Sequence, residues 1–411
     1  MANRTLYTGA RLVDGRGGPA VVDAALLVEG ERIAQVGPAA SIRLPEGRVE
    51  QVDLGGQTLI PGLIDCHVHF TYSLHPSLAA IDREDLELTT LKAARNAETL
   101  LQAGYTSVRE VGCRGNLAAA VRDAIRLGLV SGPRVVAAGQ IITTTAGLLD
   151  LYPAWLSNRA GMGRVADGPE EIVKAVREQI KLGVDHVKLE ASGAAVGAFA
   201  RSWEPTMSYQ ELVAAREAAA RYGRPVAIHA EAAQAIEDGL RAGVHTIEHG
   251  TYVTDEALRM WRDAATILVP TLCISHSFIE RGRETGAPQS VIDEFKLTQP
   301  TWIESFGRAY AAGVKIATGS DIGNRYPHGW NAKEIELFVR YGMSPSDAIV
   351  AATRNAAEVL RLSDQIGTLE PGKYADFLVV DGDPLADVTV LQRRDRLTKI
   401  VKGGLDVKKV M

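Results

Sequence analysis

Two histidines separated by one residue follow an apolar run near the start of the chain. They are His67 and His69, and the run before them covers residues 61–66. Side chains two positions apart point to the same face of a β-strand, so both imidazoles would project toward one point at the strand's end. Two converging neutral imidazoles suit a transition metal such as Zn²⁺. Because two ligands do not complete such a site, we expect further ligands downstream.

Four further candidate ligands lie in later apolar runs. Lys188 has apolar neighbours on both sides within the run 184–190, which alternates apolar and polar residues. Three other short runs end in His229, His249 and Asp321. Imidazole and carboxylate groups are common nitrogen and oxygen ligands of zinc, so these positions extend the site that the two earlier histidines begin.

Stretches with helical periodicity alternate with these runs, for example at residues 208–222, 232–242 and 299–312. Strands that alternate with helices predict βαβ units and a parallel sheet. Eight such units close into a (β/α)8 barrel, whose reactive groups lie at the C-terminal ends of its strands. The predicted fold class is therefore α/β, with all six candidate ligands at or near the strand ends of such a barrel.

The two ends of the chain have a different pattern from its middle. Residues 4–56 and 373–411 contain short β-rich runs broken by turns, and neither end has enough apolar surface to fold alone. We therefore predict that residues 1–56 and 367–411 form one small composite β-sandwich beside a barrel of residues 57–366.

The candidate ligands and their neighbours, in this order, resemble the amidohydrolase superfamily. The branch is the one with imidazolonepropionase-like and prolidase-like metallohydrolases, among them Xaa-Pro dipeptidases, carboxypeptidases and ochratoxinase-like enzymes. The resemblance covers essentially the whole chain. It is carried by six segments, at residues 61–69, 187–188, 228–231, 247–250, 318–321 and 367–380.

The resemblance implies a site for two Zn²⁺ ions or other divalent metals. His67 and His69, together with Asp321, would bind the more buried ion. His229 and His249 would bind the second ion. Neutral imidazole and carboxylate are the forms that bind such metals, so the chemistry of these residue types agrees with the implied roles.

The resemblance further implies that Lys188 bridges both metals as a carbamate formed with CO₂. A free lysine is a poor ligand, because its ammonium group has donors and no acceptor. Burial near cations lowers the pKa of the amine and lets its neutral form react. The resulting N6-carboxylysine presents two oxygens, which suits two cations about 3.5–4 Å apart.

The implied reaction is hydrolysis of a carbon–nitrogen amide bond by a metal-bridging hydroxide. Metal coordination lowers the pKa of water from about 15.7 toward about 7, and Asp321 would carry a proton from this water to the leaving nitrogen. Tyr252 would polarise the substrate carbonyl, and His328, in the loop after the last predicted strand, would donate to a substrate oxygen. For His328 a structural hydrogen bond is an equal alternative.

The loop after the third predicted strand bears on the substrate. Similar prolidase-like and carboxypeptidase-like proteins commonly carry Gly-Gly-His there, and the histidine helps to hold the substrate carboxylate. The corresponding stretch is 143–150, where Leu148 replaces that histidine. This predicts an apolar pocket, with Trp155 and Trp203 as candidate walls or, alternatively, as packing residues of their loops. An N-acyl amino acid, a dipeptide or an aryl amide is the expected substrate.

Other functions fit part of the sequence. A cyclic-amide hydrolase or deaminase of the imidazolonepropionase type often has one metal and lacks the bridging lysine, so Lys188 argues against it. Hydrolysis of a carbamate or urea is a further alternative. A catalytically silent binding protein would be indicated by a missing ligand, and all six candidates are present.

The composition is typical of a soluble globular protein. The 411 residues are 23 % charged and 46 % hydrophobic, with a net charge of −5, so neither nucleic acid nor a membrane surface is an implied partner. No signal-peptide core begins the sequence, and three separated cysteines (Cys66, Cys113 and Cys273) fit a reducing compartment. We therefore expect a cytoplasmic homo-oligomer whose other partner is a small-molecule amide.

Overall fold

The structure is a computed structural model that describes residues 4–156 and 161–409. In chain order its strands are β1 Arg4–Leu12, β2 Val21–Glu29, β3 Arg32–Pro38, β4 Glu50–Asp53, β5 Thr58–Pro61, β6 Leu63–Val68, β7 Tyr105–Glu110, β8 Arg134–Ala137, β9 Ile141–Thr143, β10 Gly163–Val165, β11 Val187–Glu190, β12 Val226–Ala230, β13 Thr246–His249, β14 Ile267–Val269, β15 Phe377–Val380, β16 Leu397–Lys402 and β17 Leu405–Asp406.

Helices lie between many of the strands from β6 onward. They are α1 Leu78–Asp82, α2 Leu86–Gln102, α3 Leu117–Arg126, α4 Gly168–Lys181, α5 Tyr209–Ala220, α6 Ala233–Ala242, α7 Asp255–Trp261, α8 Leu272–Arg281, α9 Gln289–Ala311, α10 Lys333–Arg340, α11 Pro345–Ala351 and α12 Arg354–Val359, with 3-10 turns at Ala39–Ser41 and Val388–Gln392. Within the described ranges, none of these helices combines the length and apolar character that crossing a bilayer requires.

Local sequence signals explain where the helices predicted near 208–222 and 232–242 begin and end. The first is α5, which begins with a capping box in which Ser208 and Glu211 satisfy each other's backbone N–H groups. The second is α6, which ends at Gly243 in the left-handed conformation, with a φ of 70°. Glycine adopts this conformation at little steric cost, so the chain turns there toward the next strand.

The two ends of the chain pair in one eight-stranded sheet. Its order is β17-β16-β15-β5-β1-β2-β3, and β4 pairs with β1. Strand β5 is parallel to β1 and antiparallel to β15, so it joins the N-terminal and C-terminal strands. Tyr7 and Phe377 pack edge to face on one side of the sheet, with ring centroids 5.1 Å apart. The domain boundaries predicted after residues 56 and 366 stay predictions. Strand β5 begins at Thr58, two residues after the first boundary.

The middle of the chain is a mixed α/β structure with parallel sheets, as the alternating pattern predicts. One sheet has the order β10-β9-β11-β12-β13-β14, and the other has the order β6-β7-β8. Each strand pair in these two sheets is parallel. A backbone hydrogen bond also joins β8 to the segment just before β11, since the N–H of Asp185 donates to the carbonyl of Ala137 at 2.7 Å.

The run 314–321 is not a regular strand, although its sequence predicts one. It forms a parallel bridge between Ile316 and Leu268 of β14, and the N–H of Asp321 donates to the carbonyl of His67 at 2.9 Å. The run is irregular because the N–H of Ser320 donates to the side chain of Asp65 instead of a neighbouring strand. Asp321 is thereby held beside the end of β6.

Candidate metal centre

All six predicted ligands line one small cavity of about 50 Å³. They come from the ends of parallel strands and from the irregular last run. His67, His69 and Asp321 lie closest together, because one ligating atom from each lies within 4.8 Å of the other two. The remaining lining ligands are Lys188, His229 and His249.

The first two histidines present the same ring nitrogen to the cavity. Nδ1 of His67 donates to Oε2 of Glu248 at 2.8 Å, and Nδ1 of His69 donates to the carbonyl of Gly112 at 2.8 Å. The proton of each neutral ring is therefore on Nδ1, which leaves the lone pair on Nε2. These two Nε2 atoms lie 3.9 and 3.6 Å from Oδ1 of Asp321.

The other two histidines present different nitrogens. Nε2 of His229 donates to the carbonyl of Gly193 at 3.1 Å, so its lone pair is on Nδ1. Nδ1 of His249 lies 2.6 Å from Oγ1 of Thr271, which itself donates to the carbonyl of Pro270. The hydroxyl must therefore accept from His249, whose free lone pair is on Nε2. Partners of this kind fix the tautomer and the orientation of a metal-binding ring.

The four imidazoles are held in the neutral form that binds metals. Burial lowers the pKa of His69 and of His229 to about 3, with the charge of Lys188 adding to the effect. Burial also lowers the pKa of His67 and His249 well below the ordinary value for histidine. At neutral pH each ring thus offers a lone pair without losing a proton first.

Asp321 is the clearest sign that a cation belongs here. Its Oδ1 atom is buried and accepts no hydrogen bond from the described residues. Burial raises the pKa of Asp321 well above its usual range, an effect that the charge of Lys188 opposes. A buried carboxylate oxygen that faces two histidine lone pairs is costly unless a cation lies among them. The residues therefore fit a divalent metal.

Lys188 is also placed to take part. It is 2 % exposed and lies in β11, where it lines the cavity together with Glu190 two positions later. After burial, the positive charge of Lys188 is the next cause that lowers the pKa of His67 and of His229. Its carboxylation and its bridging role stay predictions.

Three of the seven described residues other than glycine that have a positive φ lie at the same place. His249, Thr271 and Asp321 have φ values of 74°, 49° and 49°, a left-handed conformation that residues other than glycine adopt at a cost. Gly319 allows the last run to approach β6, since a Cβ there would lie 2.7 Å from that of His67. The strain is compensated by the packing and hydrogen bonds that position the ligands.

A buried ion pair beneath the ligands was not indicated by their spacing. Arg109 donates to Oε1 of Glu248 at 2.7 Å, to Thr246 at 2.8 Å and to the carbonyl of Cys66 at 2.7 Å. Glu248 in turn holds His67, so the pair sets the direction of that ring. The signal available in the sequence was the charged pair Arg109 and Glu110 at the end of β7, a strand whose other residues carry no charge.

A second supporting group surrounds Asp65, two residues before His67. Its carboxylate accepts from Asn331 at 2.7 Å and from the backbone N–H groups of His67 and Ser320, both at 3.0 Å. Asp65 therefore connects the end of β6 to the last run and to the segment before α10. Its placement on the same strand face as His67 was visible in the sequence, but its partners were not.

Of the predicted substrate residues, the structure brings Leu148 to the cavity. It is buried and packs with Ile141 and Leu149, which line the same space. The other four are absent from the described lining residues. Trp155 is 88 % exposed and Trp203 is 47 % exposed. Tyr252 is half-buried and hydrogen-bonds to Ser202. His328 is buried and donates through Nε2 to the carbonyl of Tyr72 at 2.9 Å. Their substrate contacts stay predictions.

Comparisons with known proteins match nearly the whole chain. The model of the amidohydrolase family matches residues 58–406. An ochratoxinase of Aspergillus niger is 32 % identical over 98 % of this chain and 86 % of that protein. The crystal structure of a Xaa-Pro dipeptidase with bound methionine in the active site is 32 % identical, with a TM-score of 0.90, over 99 % of this chain and 100 % of that one. An imidazolonepropionase of Pseudomonas aeruginosa is 25 % identical over 94 % of each chain.

Removing the charge of Glu248 should weaken metal binding at His67. Glu248→Gln keeps the shape but loses the carboxylate that orients the ring and pairs with Arg109, so we expect about a 10–100-fold loss of affinity for the first Zn²⁺. Titration of the metal-free protein with Zn²⁺ measures this. Glu256→Gln, at an exposed ion pair, is the control and should bind like the wild type. Equal affinity of Glu248→Gln and the wild type would contradict the prediction.

Proposed function

This chain belongs to the amidohydrolase family, and we propose that it is a binuclear zinc hydrolase that cleaves an amide bond of a small molecule. The observation that carries the proposal is the buried carboxylate oxygen of Asp321, which faces the lone pairs of His67 and His69 and receives no hydrogen bond from the part of the chain that the structure describes. The similar ochratoxinase and Xaa-Pro dipeptidase support a hydrolase acting on carbon–nitrogen bonds.

We infer that the parallel strands close into one (β/α)8 barrel. The support is the run 314–321, which bonds to β14 on one side and to β6 on the other. The bond between Asp185 and Ala137 supports continuity between the two parallel sheets. The strands of the chain ends would then form the small β-sandwich, with two apolar clusters packed against their sheet.

In the proposed site, one ion would be held by His67, His69 and Asp321. The second ion would be held by His229 and His249. Lys188, as N6-carboxylysine, would bridge the two ions. When bound, the metals would lower the pKa of water and polarise a carbonyl oxygen. The low pKa values of the four imidazoles keep their lone pairs available for this role at neutral pH.

The protein groups would then orient the substrate and move a proton. Oδ1 of Asp321 faces the histidines, so we assign proton transfer to its other carboxylate oxygen, from the attacking water to the leaving nitrogen. A carboxylate that lines the cavity is placed to gain and lose a proton during turnover. The apolar wall at Ile141, Leu148 and Leu149 would exclude water and hold an apolar part of the substrate.

An N-acyl amino acid, a dipeptide or an aryl amide is the proposed substrate class, and a cytoplasmic homo-oligomer the proposed form. The test is a hydrolysis screen of the zinc-loaded protein with a measurement of its metal content. The panel would hold N-acyl amino acids, Xaa-Pro and Xaa-Arg dipeptides, N-aryl amides and carbamates. We expect about two metals per chain and cleavage of amides with an apolar group. One metal per chain with cleavage of cyclic amides only would favour the imidazolonepropionase-like alternative.

Replacing Lys188 should remove the bridge between the metals. We expect Lys188→Ala to lose most activity and the second metal, because the carbamate oxygens are gone. Short carboxylic acids should restore part of the activity by taking the place of the bridge. Metal analysis and assays with and without added acetate measure this, with Lys315→Ala, at an exposed lysine, as the control. Full activity of Lys188→Ala without acetate would disprove the binuclear model.

Asp321→Asn should separate metal binding from proton transfer. Asparagine keeps the size and one ligand oxygen but takes up no proton. We expect kcat to fall by at least about 10²-fold, with a smaller change in KM and with metal content largely retained. Steady-state kinetics and metal analysis measure this, and Asp395→Asn at an exposed site is the control. Near-normal kcat in a metal-replete variant would exclude Asp321 as the proton carrier and make His328 the next residue to test.

Leu148→His should shift specificity toward substrates with a free carboxylate. A charge-assisted hydrogen bond contributes about 1.5–3 kcal/mol, so kcat/KM for dipeptides should rise relative to uncharged amides by about 10-fold or more. The control is Leu148→Met, which keeps the apolar surface and should leave the preference unchanged. A wild-type protein that already prefers dipeptides strongly, with no further gain in Leu148→His, would show that Leu148 does not set specificity.

A further inference from the structure

We propose that Glu190 is a ligand of the second metal ion, beside His229 and His249. This inference rests on the proposed two-metal site and adds a protein ligand to it. Glu190 follows Lys188 by two positions in β11, so both side chains point to the same face of the strand, and both line the cavity. In the parallel register of β11 and β12, Glu190 is directly opposite His229.

One carboxylate oxygen of Glu190 has no hydrogen-bond donor among the described residues, although the charge of Lys188 acts on this carboxylate. Its side chain is 4 % exposed, and its Oε2 atom accepts no hydrogen bond from the described residues. This oxygen nevertheless lies only 3.4 Å from Nδ1 of His229. A buried carboxylate oxygen without a donor is unfavourable, and carboxylation of Lys188 would remove the nearby ammonium charge. In the proposed site this oxygen is therefore expected to have a cation that is not part of the chain.

The nitrogen that faces Glu190 carries a lone pair. Because Nε2 of His229 donates to the carbonyl of Gly193, the ring proton is on that side and Nδ1 is an acceptor. Two acceptors 3.4 Å apart repel each other unless a proton or a metal ion lies between them. A doubly protonated ring would remove the repulsion, but the ring is buried beside the positive charge of Lys188.

The separation of these atoms matches a coordination sphere. Two ligands about 2.1 Å from Zn²⁺, at a tetrahedral angle, lie about 3.4 Å apart. Asp321 shows the same arrangement at the first site, where its unpaired Oδ1 lies 3.6 Å from Nε2 of His69. Glu190 and His229 therefore repeat, on the other side of the cavity, the pairing that defines the first site.

Glu231 is a matched comparison on the same histidine. Its Oε1 lies 3.7 Å from Nε2 of His229, the nitrogen that carries the proton, and its Oε2 accepts from Thr251 at 2.8 Å. It is as buried as Glu190 and equally charged when ionised. Since it faces the wrong nitrogen and already has a donor, we assign it no ligand role.

The test is titration of metal-free Glu190→Gln and Glu231→Gln with Co²⁺, followed by calorimetry and by the visible absorption spectrum. The wild type should bind two ions. Glu190→Gln should keep the first ion and bind the second at least about 100-fold more weakly, with loss of the second site's absorption, because a direct ligand should matter at least as much as its supporting partners. Glu231→Gln should bind both ions with affinities close to those of the wild type.

A second-site affinity in Glu190→Gln within threefold of the wild type would overturn the assignment, and so would an equal loss in Glu231→Gln. A wild type that binds fewer than two ions would instead overturn the two-metal function on which it rests. A crystal structure of the zinc-loaded wild type tests the assignment without any variant. A Glu190 oxygen about 2.0–2.2 Å from the second ion would support it, and one beyond about 3 Å would exclude it.

Discussion

The structure around the cavity depends on one constraint, which is that the imidazole lone pairs and the carboxylate charges buried there need partners in place of water. Each buried polar atom without a partner costs on the order of 1–3 kcal/mol, and more when it is charged. One ring nitrogen of each of the four imidazoles has such a partner, because its N–H donates to Glu248, to Thr271 or to the carbonyl of a glycine. Those hydrogen bonds direct the remaining lone pairs toward the cavity. The same bonds that allow burial therefore create the affinity for metal.

The backbone around the cavity is arranged to serve these bonds. In the last run the N–H of Ser320 donates to Asp65 and the N–H of Asp321 donates to the carbonyl of His67, and the φ of Asp321 is positive. Beneath the ligands lies the ion pair of Arg109 and Glu248. A buried ion pair contributes little net stability, because desolvation offsets the attraction. Its evident effect here is to orient His67, and through it the first site.

The proposed ligands and the proposed substrate surface come from different parts of the chain. The histidines lie at strand ends, whereas Leu148 lies in the segment between β9 and β10, and its replacement changes no ligand. This separation agrees with the similarity of the chain to proteins named for different substrates, an ochratoxinase and a Xaa-Pro dipeptidase, at the same 32 % identity. Similarity of fold therefore gives the reaction type more directly than the substrate.

The sequence by itself determined the parallel α/β architecture and the residues that meet in the cavity. Strand periodicity and the two-residue spacing of His67 and His69 are local properties, so they can be deduced without knowing which strands are neighbours. Only the tertiary structure decided which nitrogen of each histidine faces the cavity, because that depends on acceptors such as Gly112 and Gly193, which lie far away in sequence. It also decided that Tyr252 lies apart from the cavity lining and that Glu190 faces a lone pair of His229. Tautomers, partners and solvent exposure are set by long-range contacts, and no local pattern in the chain encodes them.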